Sequence, residues 1–280
     1  MKIGVVATGS RLEPALADKV AALAVAHAKK AEIVFHPQCF LSSGHFAGDD
    51  QARAKAFLEI ANDESFDALW FARGGYGSCR LNELILPKLG AGARKKIYLG
   101  YSDSGALMGP MYRLGFSKLA YGPMPSDMAR ENGEAAIRRA LDFLVRQSPD
   151  TLEANVSPSV MTAAFNLTIL CTLIGTPFQP DLARHVLMLE EVAEYMYRID
   201  RSLFQLTSNA NIRKVAGIRL GRCSLIPDND PDFKQTEEEV VKRWCRTSGI
   251  PYLGRADIGH DIGNKIVPFG RPWFGSARTA

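Results

Sequence analysis

The sequence predicts an α/β protein, with an N-terminal parallel-sheet α/β domain and a smaller β-rich C-terminal domain. Three observations predict it. Short apolar runs alternate with stretches of helical length, which is the pattern of βαβ units and a parallel sheet. The runs are apolar throughout, as strands covered on both faces are. The 280 residues exceed the usual size of a single core, so two domains are expected.

Taken in order, Ile3–Ala7 reads as a buried strand and the Ala-rich Pro14–Lys29 as a helix. Glu32–His36 follows as a strand, Asp50–Asn62 as a helix and Asp67–Ala72 as another strand. The next apolar run, Ile97-Tyr98-Leu99, ends in Gly100-Tyr101-Ser102-Asp103 before a helical pattern begins. Ligands of such sheets bind beyond the strand C-termini. Arg73-Gly74-Gly75-Tyr76-Gly77-Ser78 and Gly100-Tyr101-Ser102-Asp103 both fall at that edge, after consecutive strands, and are expected to be neighbours. From Gly122 to Ser159 the pattern changes, with Pro123, Pro125, an exposed-looking helix over Gly133–Gln147 and the turns Ser148-Pro149-Asp150 and Ser157-Pro158-Ser159. Residues 1–122 are therefore expected to form the first domain, 123–160 a linker and 161–280 the second domain. The second part carries helices near Asn166–Ile174, Tyr197–Thr207 and Gln235–Thr247. Strands are expected at His185–Leu189 and Val215–Leu220, with short ones near Tyr252 and Ile266.

Composition narrows the class. Hydrophobic content of 46% with 23% charged residues is that of a packed globular protein. The net charge of +4 comes from 34 basic residues spread against 30 acidic ones, and pairs such as Lys95-Lys96 lack interleaved aromatics, which argues against a nucleic-acid partner. Five cysteines, widely separated and without a C-x-x-C pair, argue against a disulfide framework or a structural zinc. No H-E-x-x-H or Cys/His cluster has ligand spacing, so no metal or other cofactor is expected. The apolar N-terminus is too short for a signal-peptide core and no membrane-length run follows, so a cytoplasmic protein without a membrane partner is expected.

Ser102 is the residue around which chemistry can be built. A serine on a tight strand-to-helix turn stands clear of the sheet, and the N–H of the following Asp103 can face an oxygen that becomes negative during acyl transfer. The form is Gly-x-Ser-x-Ser, and taken alone the segment reads first as a helix N-cap. The glycine turn has three open readings: a phosphate cradle, a tight turn needing positive φ, or a source of oxyanion-hole N–H groups from Gly74 and Gly75. A serine nucleophile needs a base and an orienting carboxylate. Of the five histidines, His260 is best placed, in a turn directly after a short apolar strand. Glu190 ends the apolar run Val186–Leu189, where a carboxylate can reach a cleft. Cys79, beside the glycine turn, is expected to point into the following helix.

Taken together and in this order, these segments resemble the LD-carboxypeptidase family of serine peptidases, peptidase family S66. Arg73-Gly74-Gly75-Tyr76-Gly77-Ser78-Cys79-Arg80-Leu81, Gly100-Tyr101-Ser102-Asp103, Leu189-Glu190-Glu191 and Asp257-Ile258-Gly259-His260 carry the likeness, and Leu173–Pro177 and Arg198–Arg201 extend it over nearly the whole chain. The resemblance implies Ser102 as nucleophile, His260 as general base and then acid, and Glu190 as the residue orienting His260. It also implies an oxyanion hole from the N–H of Asp103 and the Gly74-Gly75 turn, with Arg73, Tyr76 and Asn166 as substrate contacts. An active site between the domains and a homodimer are implied too. Two departures stand out. The family's Gly-Gly-Asn-Leu is Ala164-Phe165-Asn166-Leu167 here, whose bulk is expected to reshape the substrate cleft, and Ser104-Gly105 replaces bulkier residues after the elbow.

The expected activity is a cofactor-free serine carboxypeptidase acting on an L,D peptide bond, releasing terminal D-alanine from murein tetrapeptide in cell-wall recycling. One alternative is a peptidyl-nucleotide hydrolase of the microcin C immunity kind, with Phe165 or Tyr195 stacking on the base. Another, of a different class, is a non-catalytic anion- or nucleotide-binding α/β protein using the glycine turn.

Overall fold

Apolar tetra- and pentapeptides form the centre of the first sheet because both of its faces are covered. The computed structural model describes residues 1–274. In chain order, its first part comprises β1 (Lys2–Val6), α1 (Pro14–His27), β2 (Glu32–Phe35), α2 (Asp50–Asn62) and β3 (Ala68–Phe71). The short α3 (Asn82–Ile85) and α4 (Ala91–Lys95) lead into β4 (Ile97–Gly100), α5 (Gly105–Arg113) and β5 (Leu119–Tyr121). The strand order is β2-β1-β3-β4-β5, all parallel, and the short β10 (Val267–Pro268) from the far end of the chain adds antiparallel to β5. Every residue of β3 and β4 is buried, which explains why neither alternates in polarity.

The stretch 123–160 is packed. Its helix α6 (Glu134–Arg146) buries Ile137, Ala140, Leu141, Phe143 and Leu144 in one apolar cluster with Ile3, Val5, Trp70 and Leu99 of the first sheet, beside α1. The helix stops at Gln147, which takes a left-handed conformation (φ 50°).

A second sheet follows, in sequential order: β6 (Thr162–Asn166), β7 (Val186–Val192), β8 (Gly217–Ser224) and β9 (Tyr252–Arg255), all parallel. They are linked by α7 (Leu167–Leu173), α8 (Met196–Ser208) and α9 (Glu237–Ser248). The α/β class with a second, smaller sheet is thus as the sequence predicts. Strands β5 and β6 are additions to the sequence reading. β6 is buried along its whole length and made mostly of Ala and Thr, so it carries neither alternation nor a β-branched run. β7 runs through Glu190 and Glu191 to Val192 rather than stopping at Leu189. The second sheet shares one apolar cluster with the other face of the first: Phe71, Tyr98 and Met108 join Phe165, Leu187 and Leu220. That shared core brings the C-terminal edges of both sheets together.

Candidate active site

β4 ends at Gly100, and two residues later Ser102 has φ 59°, a left-handed conformation uncommon for a residue with a side chain. A short 3₁₀ turn over Ser102–Ser104 then leads into α5. This sharp strand-to-helix reversal lifts the Ser102 hydroxyl off the sheet. Its Oγ lies 3.0 Å from His260 Nε2, and His260 Nδ1 lies 2.6 Å from Glu190 Oε2. An ionised carboxylate only accepts, so Nδ1 carries the ring proton and Nε2 is left to accept from Ser102.

Glu190 is completely buried, and its direction is set by an irregularity in the second sheet. Leu189 pairs with Leu220 but Glu191 with Cys223, so β8 carries one extra residue opposite Glu190. Gly221 lies in that bulge, where a Cβ would come within 2.9 Å of the Glu190 Cβ. The same bulge turns Arg222 toward the loop that carries His260. Its guanidinium pairs with Asp257 and with both oxygens of Asp261, on either side of the histidine. The other oxygen of Glu190, Oε1, accepts the hydroxyl of Tyr121 at 2.6 Å. The Tyr121 hydroxyl in turn accepts the backbone N–H of Ser102 at 3.4 Å. The Tyr101 ring packs against both, 4.9 Å from the His260 ring and 5.7 Å from that of Tyr121.

The glycine turn after β3 lies against the elbow, as expected for consecutive strands. Gly75 (φ 98°) and Gly77 (φ 132°) need the positive φ that glycine tolerates. The anion that this turn holds is internal: the Asp103 carboxylate, 1% exposed, accepts the N–H groups of Gly77 (3.3 Å) and Ser78 (2.9 Å) and the Ser78 hydroxyl (2.7 Å). Burial pushes the Asp103 carboxyl up, while those hydrogen bonds pull it down. Ser78 also hydrogen-bonds Thr8 after β1, and buried Arg53 on α2 donates to the carbonyls of Thr8 and Gly77. The loops after β1, β3 and β4 are thereby tied into one unit.

A cleft of about 430 Å³ opens over these groups, lined among others by Arg73, Gly74, Ser102, Arg130 and His260. Ser102, His260, Gly74, Gly75 and Arg73 line it, and buried Glu190 and Asp103 stand behind them. Tyr76 and Asn166 do not line that cleft. Tyr76 packs on His45 and Phe46, and Asn166 is buried, donating to Glu191 and capping the first turn of α7. Phe165 lies in the core against Phe269, so its bulk does not face the cleft. Tyr195 stacks on Tyr197. Burial pushes the Cys79 thiol up, unsuited to a nucleophile. Sequence reasoning missed Tyr121. Its only signal is an apolar triplet, Leu119-Ala120-Tyr121, ahead of Gly122-Pro123, and that dipeptide reads as the end of a domain.

Two family models match the chain: the LD-carboxypeptidase N-terminal domain over residues 3–122 and the LD-carboxypeptidase C-terminal domain over residues 162–273. A protein of Synechocystis sp. with a provisional carboxypeptidase name is 32% identical over 246 residues, covering 85% of this chain and 79% of its own. The murein tetrapeptide carboxypeptidase of Pseudomonas aeruginosa is 27% identical over 246 residues, covering 81% of this chain and 78% of its own. Among solved structures, muramoyltetrapeptide carboxypeptidase from Oxalobacter formigenes shares the fold, with a TM-score of 0.80 over 95% of this chain and 93% of that one at 23% identity.

Proposed function

The chain belongs to the LD-carboxypeptidase family and is a hydrolase, and from that premise we propose that it is a serine carboxypeptidase releasing terminal D-alanine from murein tetrapeptide. The observation that carries this reading is the hydrogen-bond chain Ser102 Oγ, His260 Nε2, His260 Nδ1, Glu190 Oε2 at the mouth of the cleft. Ser102 gives its proton to Nε2 as Oγ attacks the scissile carbonyl, and buried Glu190 holds the imidazolium that forms. The N–H of Asp103 and those of the Gly74-Gly75 turn, which are not committed to the Asp103 carboxylate, receive the negative oxygen. The imidazolium then protonates the departing amine of D-alanine. Water, deprotonated by the same ring, hydrolyses the acyl-enzyme. Arg73 lines the cleft and is suited to an anionic peptide. The same reading includes a role in cell-wall recycling for a cytoplasmic homodimer, which sedimentation at twice the 30.7 kDa chain mass tests.

Incubation of the purified protein with murein tetrapeptide, followed by mass spectrometry, tests the activity. D-alanine release is expected, and Ser102→Ala should lower kcat at least roughly 10³-fold. A serine-reactive phosphonate should add one equivalent of mass at Ser102. Intact tetrapeptide beside a cleaved peptidyl-nucleotide would overturn the substrate and keep the chemistry. An unlabelled Ser102 with tight nucleotide binding would overturn both.

A further inference from the structure

The relay of three side chains is closed into a ring by a fourth. Starting at the nucleophile, the Ser102 N–H points to the Tyr121 hydroxyl (3.4 Å) and that hydroxyl donates to Glu190 Oε1 (2.6 Å). Glu190 Oε2 holds His260 Nδ1 (2.6 Å), and His260 Nε2 returns to Ser102 Oγ (3.0 Å). We propose that Tyr121 is a positioning residue of this site, fixing the Glu190 carboxylate for His260 and turning the Ser102 amide away from the oxyanion.

A fully buried carboxylate needs a donor on each oxygen; among the described residues Glu190 has two side-chain donors, His260 on one oxygen and Tyr121 on the other. Removing the phenol leaves one oxygen bare inside apolar surroundings and free to rotate toward the histidine. Tyr121 also keeps the proton it donates, since burial and the adjacent carboxylate push the phenol well above its ordinary value. Both arms start at Ser102 and end as donors on Glu190, and within each arm one hydrogen bond polarises the next, so the loss of Tyr121 weakens its arm and frees the carboxylate that aligns the other. Tyr121 also bears on the oxyanion. A nucleophile's own amide is one ready donor to the oxygen formed at its side, but here it is occupied by Tyr121, so stabilisation falls to Asp103 and the glycine turn. The Tyr101 ring, packed on both Tyr121 and His260, keeps the ring's two aromatic members in register.

The inference rests on the reading of Ser102, His260 and Glu190 as the reacting relay, and its test separates the two. Steady-state kinetics on murein tetrapeptide are measured for Ser102→Ala, Tyr121→Phe, Glu190→Gln and the Tyr121→Phe/Glu190→Gln double variant. Tyr121→Phe is expected to lower kcat about 10- to 100-fold with KM within about twofold. The double variant is expected to be within about threefold of Glu190→Gln alone, because the effect of Tyr121 on His260 runs through Glu190 and its long 3.4 Å contact to the Ser102 amide adds little. Tyr121→Phe within about twofold of the unaltered protein, or losses that multiply in the double variant, would overturn the role of Tyr121 while leaving the relay intact. An active Ser102→Ala would instead sink the relay itself. Should Tyr121→Phe not fold, 3-fluorotyrosine placed at residue 121 alone preserves the shape and alters the donor. A kcat change of about threefold or more is expected there. The same replacement at Tyr98, buried and donating to the Ala93 carbonyl, serves as control, and an effect at 121 no larger than at 98 overturns the proposal.

Discussion

A methyl group added at Gly74 would lie 3.1 Å from both Cβ and Oγ of Ser102, so the absence of a side chain there clears the space in which the hydroxyl turns. The Gly74 backbone is not in the left-handed region, and alanine is therefore tolerated conformationally. Gly74→Ala is expected to lower kcat roughly tenfold or more while the unfolding free energy changes by less than about 1 kcal/mol. An unchanged kcat would show that Ser102 does not use that space. Its neighbour Gly75 behaves differently. With φ 98° and Ser10 against the position of its Cβ, a substitution there strains the backbone as well as the contact. At this scale the sequence showed which residue types could do chemistry. It did not show that Asp103 spends its carboxylate on the glycine turn, because Gly-rich loops bind external and internal anions by the same N–H geometry.

Among the elements, α5 and β6 meet where a ring is seated on two glycines. The Phe165 ring packs on Gly105 and Gly109, where a Cβ would lie 3.3 Å from it. Gly105→Val should therefore destabilise the protein by about 1–3 kcal/mol through overpacking, and Phe165→Ala should cost about 3–5 kcal/mol through the cavity it leaves. The double variant should be more stable than the two losses added together, as urea midpoints would show. Strict additivity would mean that the two sites do not share the space. Arg80, in the turn after β3, and Arg53, on α2, hold the Asp50 carboxyl at the start of α2 below its ordinary 3.8, and Arg53 in turn braces the loops after β1 and β3. A carboxyl held low in the folded state adds stability that is present above the unfolded value and lost as pH falls through the folded one. Asp50→Asn should thus cost about 1 kcal/mol or less at neutral pH, given its partial exposure, with the deficit vanishing in acid. A deficit that persists unchanged below the carboxylate range would contradict the pairing. Long elements such as α2 were legible because their period is local. β5 and β6 were not, since a three-residue or Ala-rich buried strand leaves no periodic trace.

For the molecule as a whole, one apolar cluster runs from Phe71 and Tyr98 in the first sheet to Leu187 and Leu220 in the second, and β10 returns to pair with β5. The two sheets should therefore unfold together. Single-tryptophan variants retaining either buried Trp70 in β3 or Trp244 in α9 are expected to give coincident urea transitions, and separated midpoints would show two independent units. No helix among the described residues is long and apolar enough to cross a membrane. The sequence by itself determined the alternation of strands and helices and hence the sheet edge at which the glycine turn and Ser102 stand together, because both follow from local periodicity and turn chemistry. Only the tertiary structure decided which side chains meet there. His260 reaches Ser102 across 158 positions, and Glu190 reaches His260 across 70. Tyr121 enters from a three-residue strand that leaves no periodic trace. The physical reason is that a hydrogen bond between distant segments depends on how two sheets pack and where a bulge aims a carboxylate, and neither leaves a period in the chain.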